Sequence, residues 1–120
     1  MRRIGPNQGP FDSDEAAIEA VVDRLVRALR PEAIYLFGSR ARGDFARESD
    51  FDLMVVTRSE DGDAAYDYER AYAPIAGLGV GCDVVPIPKH EFEAEKDAKT
   101  GLVKRVLREG RLVYEQDATH

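Results

Sequence analysis

Phe37-Gly38-Ser39-Arg40-Ala41-Arg42-Gly43, followed by Ser49-Asp50-Phe51-Asp52-Leu53, is the informative stretch of this 120-residue chain. Ala33 to Phe37 reads as a short buried strand that Gly38-Ser39 breaks, and Phe51 to Val56 reads as a second strand. Side chains alternate across a strand, so Asp50 and Asp52 share one face and Phe51, Leu53 and Val55 the other. Two unpaired carboxylates on one face repel each other. A hard cation between them turns that repulsion into coordination, and oxygen ligands that leave room for water and phosphate suit Mg²⁺. Two-ion phosphoryl chemistry, with ions roughly 3.5–4 Å apart and a bridging carboxylate, is served by the same arrangement. A bare Asp-x-Asp pair is more often a solvated strand face.

The glycine-serine break changes those odds. Gly38 permits close backbone approach and unusual dihedral angles. Ser39 adds a hydroxyl at the start of a helical turn, whose free N–H groups bind anions such as the outer phosphates of a nucleoside triphosphate. Arg40 and Arg42 flank this corner and can neutralise phosphate or contact an acidic acceptor. As surface arginines they would serve solubility alone.

Working outward, residues 1–11 contain Gly5, Pro6, Gly9 and Pro10 and read as a flexible N-terminal arm. Asp12 with Glu15 resembles a capping box. Ile18, Val21, Val22, Leu25, Val26 and Leu29 then follow helical spacing up to Pro31, with Arg24, Arg27 and Arg30 on a solvated face. After the second strand, Ser59 to Asp63 reads as an acidic loop. Ala64 to Leu78 has helical composition that Pro74 kinks or ends, and Tyr68 and Tyr72 are spaced as a packing pair. A glycine turn leads into a third strand, Cys82 to Ile87, closed by Pro86 and Pro88. Glu91 to Asp97 reads as a short acidic helix. Thr100 is placed to cap a last helix through Glu109, with Leu102, Val103, Val106 and Leu107 inward and Gly110 at the C′ position. Leu112 to Tyr114 reads as a closing edge strand. The order α-β-β-α-β-α-β is that of an α/β domain with a small mixed sheet flanked by helices. Residues 12–115 would form this one domain and 116–120 a tail.

Hydrophobic residues make up 43% and charged residues 33%, the balance of a globular chain rather than a disordered one. The net charge of −6 argues against direct duplex nucleic-acid binding, which needs a basic face. Cys82 is the only cysteine, so no intrachain disulfide forms and a reducing compartment fits. No apolar run approaches the roughly 18 residues of a membrane span. Pro and Gly follow the basic start in place of an apolar signal core. The expected location is cytoplasmic, without a membrane partner. His90 and His120 lack a Cys or His cluster, which argues against zinc.

Gly38-Ser39, ten intervening residues and Asp50-x-Asp52 resemble the signature of the DNA polymerase β-like nucleotidyltransferase superfamily. The fuller string, GSRARG through SDFDLMVV, is similar to its shortest branch, the minimal nucleotidyltransferases (MNT). The likeness is specific from Ala33 to Val56 and weaker through the third strand and VLREGRLVYE. It implies the fold of that superfamily and a third carboxylate on a later strand, for which Asp83 is the natural candidate. It implies that Asp50, Asp52 and Asp83 are catalytic and hold two Mg²⁺ ions, or Mn²⁺. Gly38 and Ser39 would hold the β- and γ-phosphates of ATP. The reaction implied is attack of an acceptor hydroxyl on the α-phosphate, with pyrophosphate leaving.

Free-standing members of that branch are paired with a HEPN protein in toxin–antitoxin modules. The resemblance therefore implies an antitoxin that adenylylates a cognate HEPN-type toxin on tyrosine. A chain this short would leave the acceptor to a partner. The alternatives are a small-molecule, aminoglycoside-type nucleotidyltransferase, which usually adds a drug-binding helical domain, and a non-catalytic antitoxin that neutralises by contact.

Overall fold

The computed structural model describes residues 11–38, 41, 43 and 50–116. The arm before Phe11, the tail after Gln116 and most of the turn expected over Ala41 to Glu48 lie outside these residues. No helix among those described is long and apolar enough to cross a membrane.

The chain opens with α1 (Asp14–Leu29) and passes through β1 (Ala33–Phe37) and β2 (Phe51–Thr57). A 3-10 segment (Ser59–Tyr66) leads to α2 (Tyr68–Tyr72) and a second 3-10 turn (Ala73–Ile75). Then come β3 (Cys82–Pro88), α3 (Lys89–Glu95), α4 (Leu102–Glu109) and β4 (Arg111–Glu115). The four strands form one sheet in the order β3-β2-β1-β4. β1 runs antiparallel to β2 and to β4, and β2 runs parallel to β3, so the sheet is mixed. This is the α/β architecture the sequence implies.

β2 is central because both of its faces are apolar. Phe51, Leu53 and Val55 join Ile34, Leu36 and Val84 under Ala17, Ile18, Val21, Leu25 and Leu29 of α1. Met54 and Val56 point the other way, with Ile87, onto Phe92 of α3 and Val103 and Val106 of α4. Helices thus cover both faces of the sheet. Burying a side chain such as Leu53, which is fully enclosed, stabilises the fold by about 1.5–3 kcal/mol.

Several local expectations shift. The N-cap of α1 is Ser13, whose Oγ accepts from the Ala16 N–H at 3.1 Å, so the Asp12–Glu15 capping box is not what starts the helix. Asp14 and Glu15 instead occupy the first turn, where carboxylates favour the helix dipole. The acidic loop expected at Ser59 to Asp63 is 3-10 helix. Its Asp61 is nearly enclosed between Arg58 at 3.0 Å and Arg70 at 3.3 Å, and the Thr57 hydroxyl donates to the Ala65 carbonyl at 2.9 Å. Pro74 does end α2, whose continuation is a 3-10 turn. Tyr68 and Tyr72 are exposed rather than packed as a pair. α4 is capped by Gly101 without side-chain help from Thr100, and only Val103 and Val106 are buried while Leu102 and Leu107 face solvent.

Gly110 serves a purpose other than the left-handed C′ turn expected of it. Its backbone is extended, with φ −87° and ψ 178°. A Cβ there would lie 2.5 Å from the Val106 carbonyl oxygen and 2.8 Å from that of Leu36. Both obstacles are backbone, so neither can swing aside. Gly110→Ala should therefore lower the stability by about 1–3 kcal/mol. The measurement is a urea unfolding midpoint, which should fall with an unchanged slope.

Candidate functional site

The parallel pairing of β2 with β3 sets Asp52 directly beside Asp83. Neighbouring strands lie about 4.8 Å apart, so the two carboxylates start from adjacent backbone positions on one face. That face is the one Met54 and Val56 take on β2, and Val85 and Ile87 on β3. Met54, Val56 and Ile87 are buried, whereas Asp52 is half-buried and Asp83 exposed. The acids therefore occupy the open ends of two strands whose continuations are core.

Asp50 stands one residue before β2 begins, exposed, and not within the strand as expected. The Phe51 N–H donates to the Gly81 carbonyl at 3.0 Å, which draws the start of β2 against the turn leading into β3. The charges of all three carboxylates are felt by one buried side chain, Cys82, on the other face of β3. Burial first, and then the charges of Asp50, Asp83 and Asp52, push this thiol up to about 12.

On the other side of Asp52 lies the corner after β1. Phe37 is the antiparallel partner of Asp52, and Gly38 follows with φ +75°. A Cβ on Gly38 would collide with the Asp52 carboxylate. Glycine is thus required twice, for the positive φ and for the approach to the acid. The Ala41 N–H donates to the Gly38 carbonyl at 3.1 Å, closing a turn over the corner. Ser39, Arg40 and Arg42 lie outside the described residues.

Among the described residues, no group of three or more His, Cys, Asp or Glu side chains is gathered tightly enough to hold a metal ion by itself. The donor set is nevertheless oxygen only and open to solvent, which fits Mg²⁺ better than a softer ion. Mg²⁺ is commonly held by one or two carboxylates together with water and substrate phosphates, not by an all-protein cage. Asp52 with Asp83 or Asp50 meets that need.

The Cys82 thiol is buried in the core on the α1 side of the sheet, 8% exposed, and has no cationic side chain among its electrostatic influences. It should resist alkylation at pH 8 in the folded protein and react on unfolding. Below the ordinary thiol range Cys82 is neutral in both states and adds no pH dependence. Between pH 9 and about 12 the unfolded chain ionises first, so stability should fall as pH rises through that window. A Cys82→Ala variant should show a smaller fall in an alkaline unfolding series.

Comparison with known proteins gives the family. The family model described as "Polymerase beta, Nucleotidyltransferase" matches residues 19–119. A relative from Methanocaldococcus jannaschii, named "Putative protein adenylyltransferase MJ0604", is 34% identical over 104 residues, covering 85% of this chain and 99% of its own. A solved toxin–antitoxin crystal structure with AMP-PNP superimposes with a TM-score of 0.54 at 26% identity, over 82% of this chain and 73% of the other. The mixed sheet flanked by helices accords with these likenesses, and the chain belongs to the polymerase beta nucleotidyltransferase family.

Proposed function

We propose that this nucleotidyltransferase moves AMP from ATP onto a hydroxyl, by preference a tyrosine, of a cognate HEPN-type toxin in the cytoplasm, and so acts as its antitoxin. One observation carries the catalytic part: Asp52 stands in register with Asp83 on one side and against Gly38 on the other. The protein acceptor draws support from the relative named for protein adenylylation and from the toxin–antitoxin neighbour with its ATP analogue.

Gly38 and Ser39 cradle the β- and γ-phosphates, and Arg40 and Arg42, by their place in the sequence, offset phosphate charge. Asp50, Asp52 and Asp83 would hold Mg²⁺, or Mn²⁺ in its place. When bound, the metal neutralises phosphate charge and lowers the pKa of the acceptor hydroxyl. The acceptor oxygen forms a bond to the α-phosphorus as the bond from that phosphorus to the bridging oxygen breaks. Pyrophosphate leaves with the bonding electrons. The hydroxyl proton passes to Asp83 and on to water. The carboxylates and the corner act chiefly by position and charge, the main demands of phosphoryl transfer.

Two outcomes follow for the acids. Mg²⁺ with a non-hydrolysable ATP analogue should raise the melting temperature, since a ligand that binds only the folded state stabilises it. Asp52→Asn should reduce that rise, and an unchanged melting curve at saturating ligand would remove the nucleotide from this site. Asp50→Asn, Asp52→Asn and Asp83→Asn should each cut transfer on the order of a hundredfold or more. Each should stay folded, because removing one of several like charges is mild. The direct assay is intact-mass spectrometry of the HEPN-type protein after incubation with this chain, ATP and Mg²⁺. A gain of one or more AMP groups, absent with Asp50→Asn, is expected. Nucleotide appearing on a free aminoglycoside and never on the protein would replace this reading with the small-molecule one.

A further inference from the structure

A second feature shares the face on which Asp52 and Asp83 stand. Two residues further along each strand, about 7 Å away, Met54 and Val85 form the floor of a groove of about 270 Å³. Ile87 and Val103 deepen it. Its rim carries apolar side chains left in solvent, Tyr66 at 44% exposure, Tyr68 at 59% and Leu102 at 38%. One wall is acidic, made by Glu91 and Glu95 of α3, and among the described residues no cationic side chain lines the groove. The Tyr66 hydroxyl donates to Glu91 Oε1 at 3.0 Å, which fixes the ring at the rim.

We infer that this groove seats the acceptor protein, taking from it an apolar segment flanked by lysine or arginine that brings the acceptor hydroxyl to Asp83. The inference rests on the transfer reaction proposed above, because it uses the geometry of in-line displacement. Attacking and leaving oxygens must lie on opposite sides of the α-phosphorus. The glycine corner that would hold the leaving phosphates follows β1, while the sheet order is β3-β2-β1. The acceptor must then arrive from the β3 side, where the groove opens.

The chemistry of the lining selects among occupants. Exposed tyrosines around an apolar pocket are typical of residues that anchor protein interfaces. Glu91 and Glu95 favour a basic flank on the partner and repel phosphate, which disfavours a nucleic acid. They also disfavour a second copy of this chain through the same groove, since acid would face acid.

The test uses the full chain and, as probe, the HEPN-type protein of the mass assay. Two variants are needed: Glu91→Gln with Glu95→Gln, and Tyr68→Ser with Leu102→Ser. All four side chains are at least partly exposed, so folding should survive, as circular dichroism can verify. Calorimetry without nucleotide should show partner binding weakened about tenfold or more by the second pair. The first pair should weaken it less and flatten its salt dependence. In the transfer assay KM for the partner should rise with kcat unchanged, and the thermal shift with the ATP analogue should stay as in the wild type. Wild-type partner affinity in both variants would overturn the groove. Loss of the nucleotide shift with partner affinity intact would also overturn it, giving the groove to the nucleobase. A wild-type chain that binds the partner but transfers no AMP would sink the reaction alone, since binding to the variants still decides the groove. A wild-type chain that binds no partner overturns the groove outright.

Discussion

The parallel register between β2 and β3 is the constraint on which the rest of the molecule turns. It is a non-local pairing, made across the whole 3-10 and α2 segment, and it brings Asp52 and Asp83 to adjacent positions. The pairing holds because β2 is apolar on both faces, so burying it requires a strand on each side and helices above and below. Leu53, Val55, Met54 and Val56 leave no place for charge within the strand. Acids can stand only at its open end. The same requirement that makes β2 central thus confines the carboxylates to a solvent-exposed mouth, where like charges cost least and a nucleotide can enter.

That placement carries an electrostatic tension. Three carboxylates near one buried thiol raise its pKa, and a cation bound among them would lower their mutual repulsion. Gly38 adds to the crowding by bringing backbone against Asp52. A larger residue at position 38 would displace the Asp52 carboxylate from its place beside Asp83, so the corner and the acid pair form one unit and not two neighbouring features. The apolar clusters do not use the acid side chains: Phe51, Leu53 and Val55 pack on the α1 face, and Met54 and Val56 take over the opposite face beyond Asp52. Stability and chemistry along β2 are therefore carried by different side chains.

How much of this was legible in the sequence follows from the range of each signal. Strict alternation placed Phe51, Leu53 and Val55 on one face, and the break at Gly38 marked the end of β1. The apolar run after the glycine turn located β3 and with it Asp83. What no periodicity could supply was the register that sets Asp83 opposite Asp52, because it depends on a pairing between distant segments. Caps failed for the opposite reason, being too local. Ser13 displaced Asp12 by one residue, and Gly101 displaced Thr100 likewise. Leu102 and Leu107 fit the helical pattern of inward residues, yet the short α4 has room to bury only Val103 and Val106. Gly110 was rightly marked as special for the wrong cause, since its need is close backbone approach and not a left-handed turn. The roles assigned to Ser39, Arg40 and Arg42 rest on sequence alone.

The edge position of β3 completes the logic. A strand beside a reaction centre must leave one flank open for an acceptor, yet an open edge invites pairing with other strands. β3 carries Pro86 and Pro88, whose missing N–H groups suit an edge and offer nothing to an added strand. The two prolines weaken backbone pairing at that edge, while its face, from Asp83 through Val85 to Ile87, grades from exposed to half-buried to buried. Recognition on that side must then come from side chains, and the exposed tyrosines, Leu102 and the α3 glutamates supply them. A fold of one small sheet in this way keeps two approaches apart on the two sides of β2. In the proposed reaction phosphate would meet glycine on the β1 side, and the acceptor would meet apolar and acidic side chains on the β3 side. The carboxylates stand where the two approaches meet.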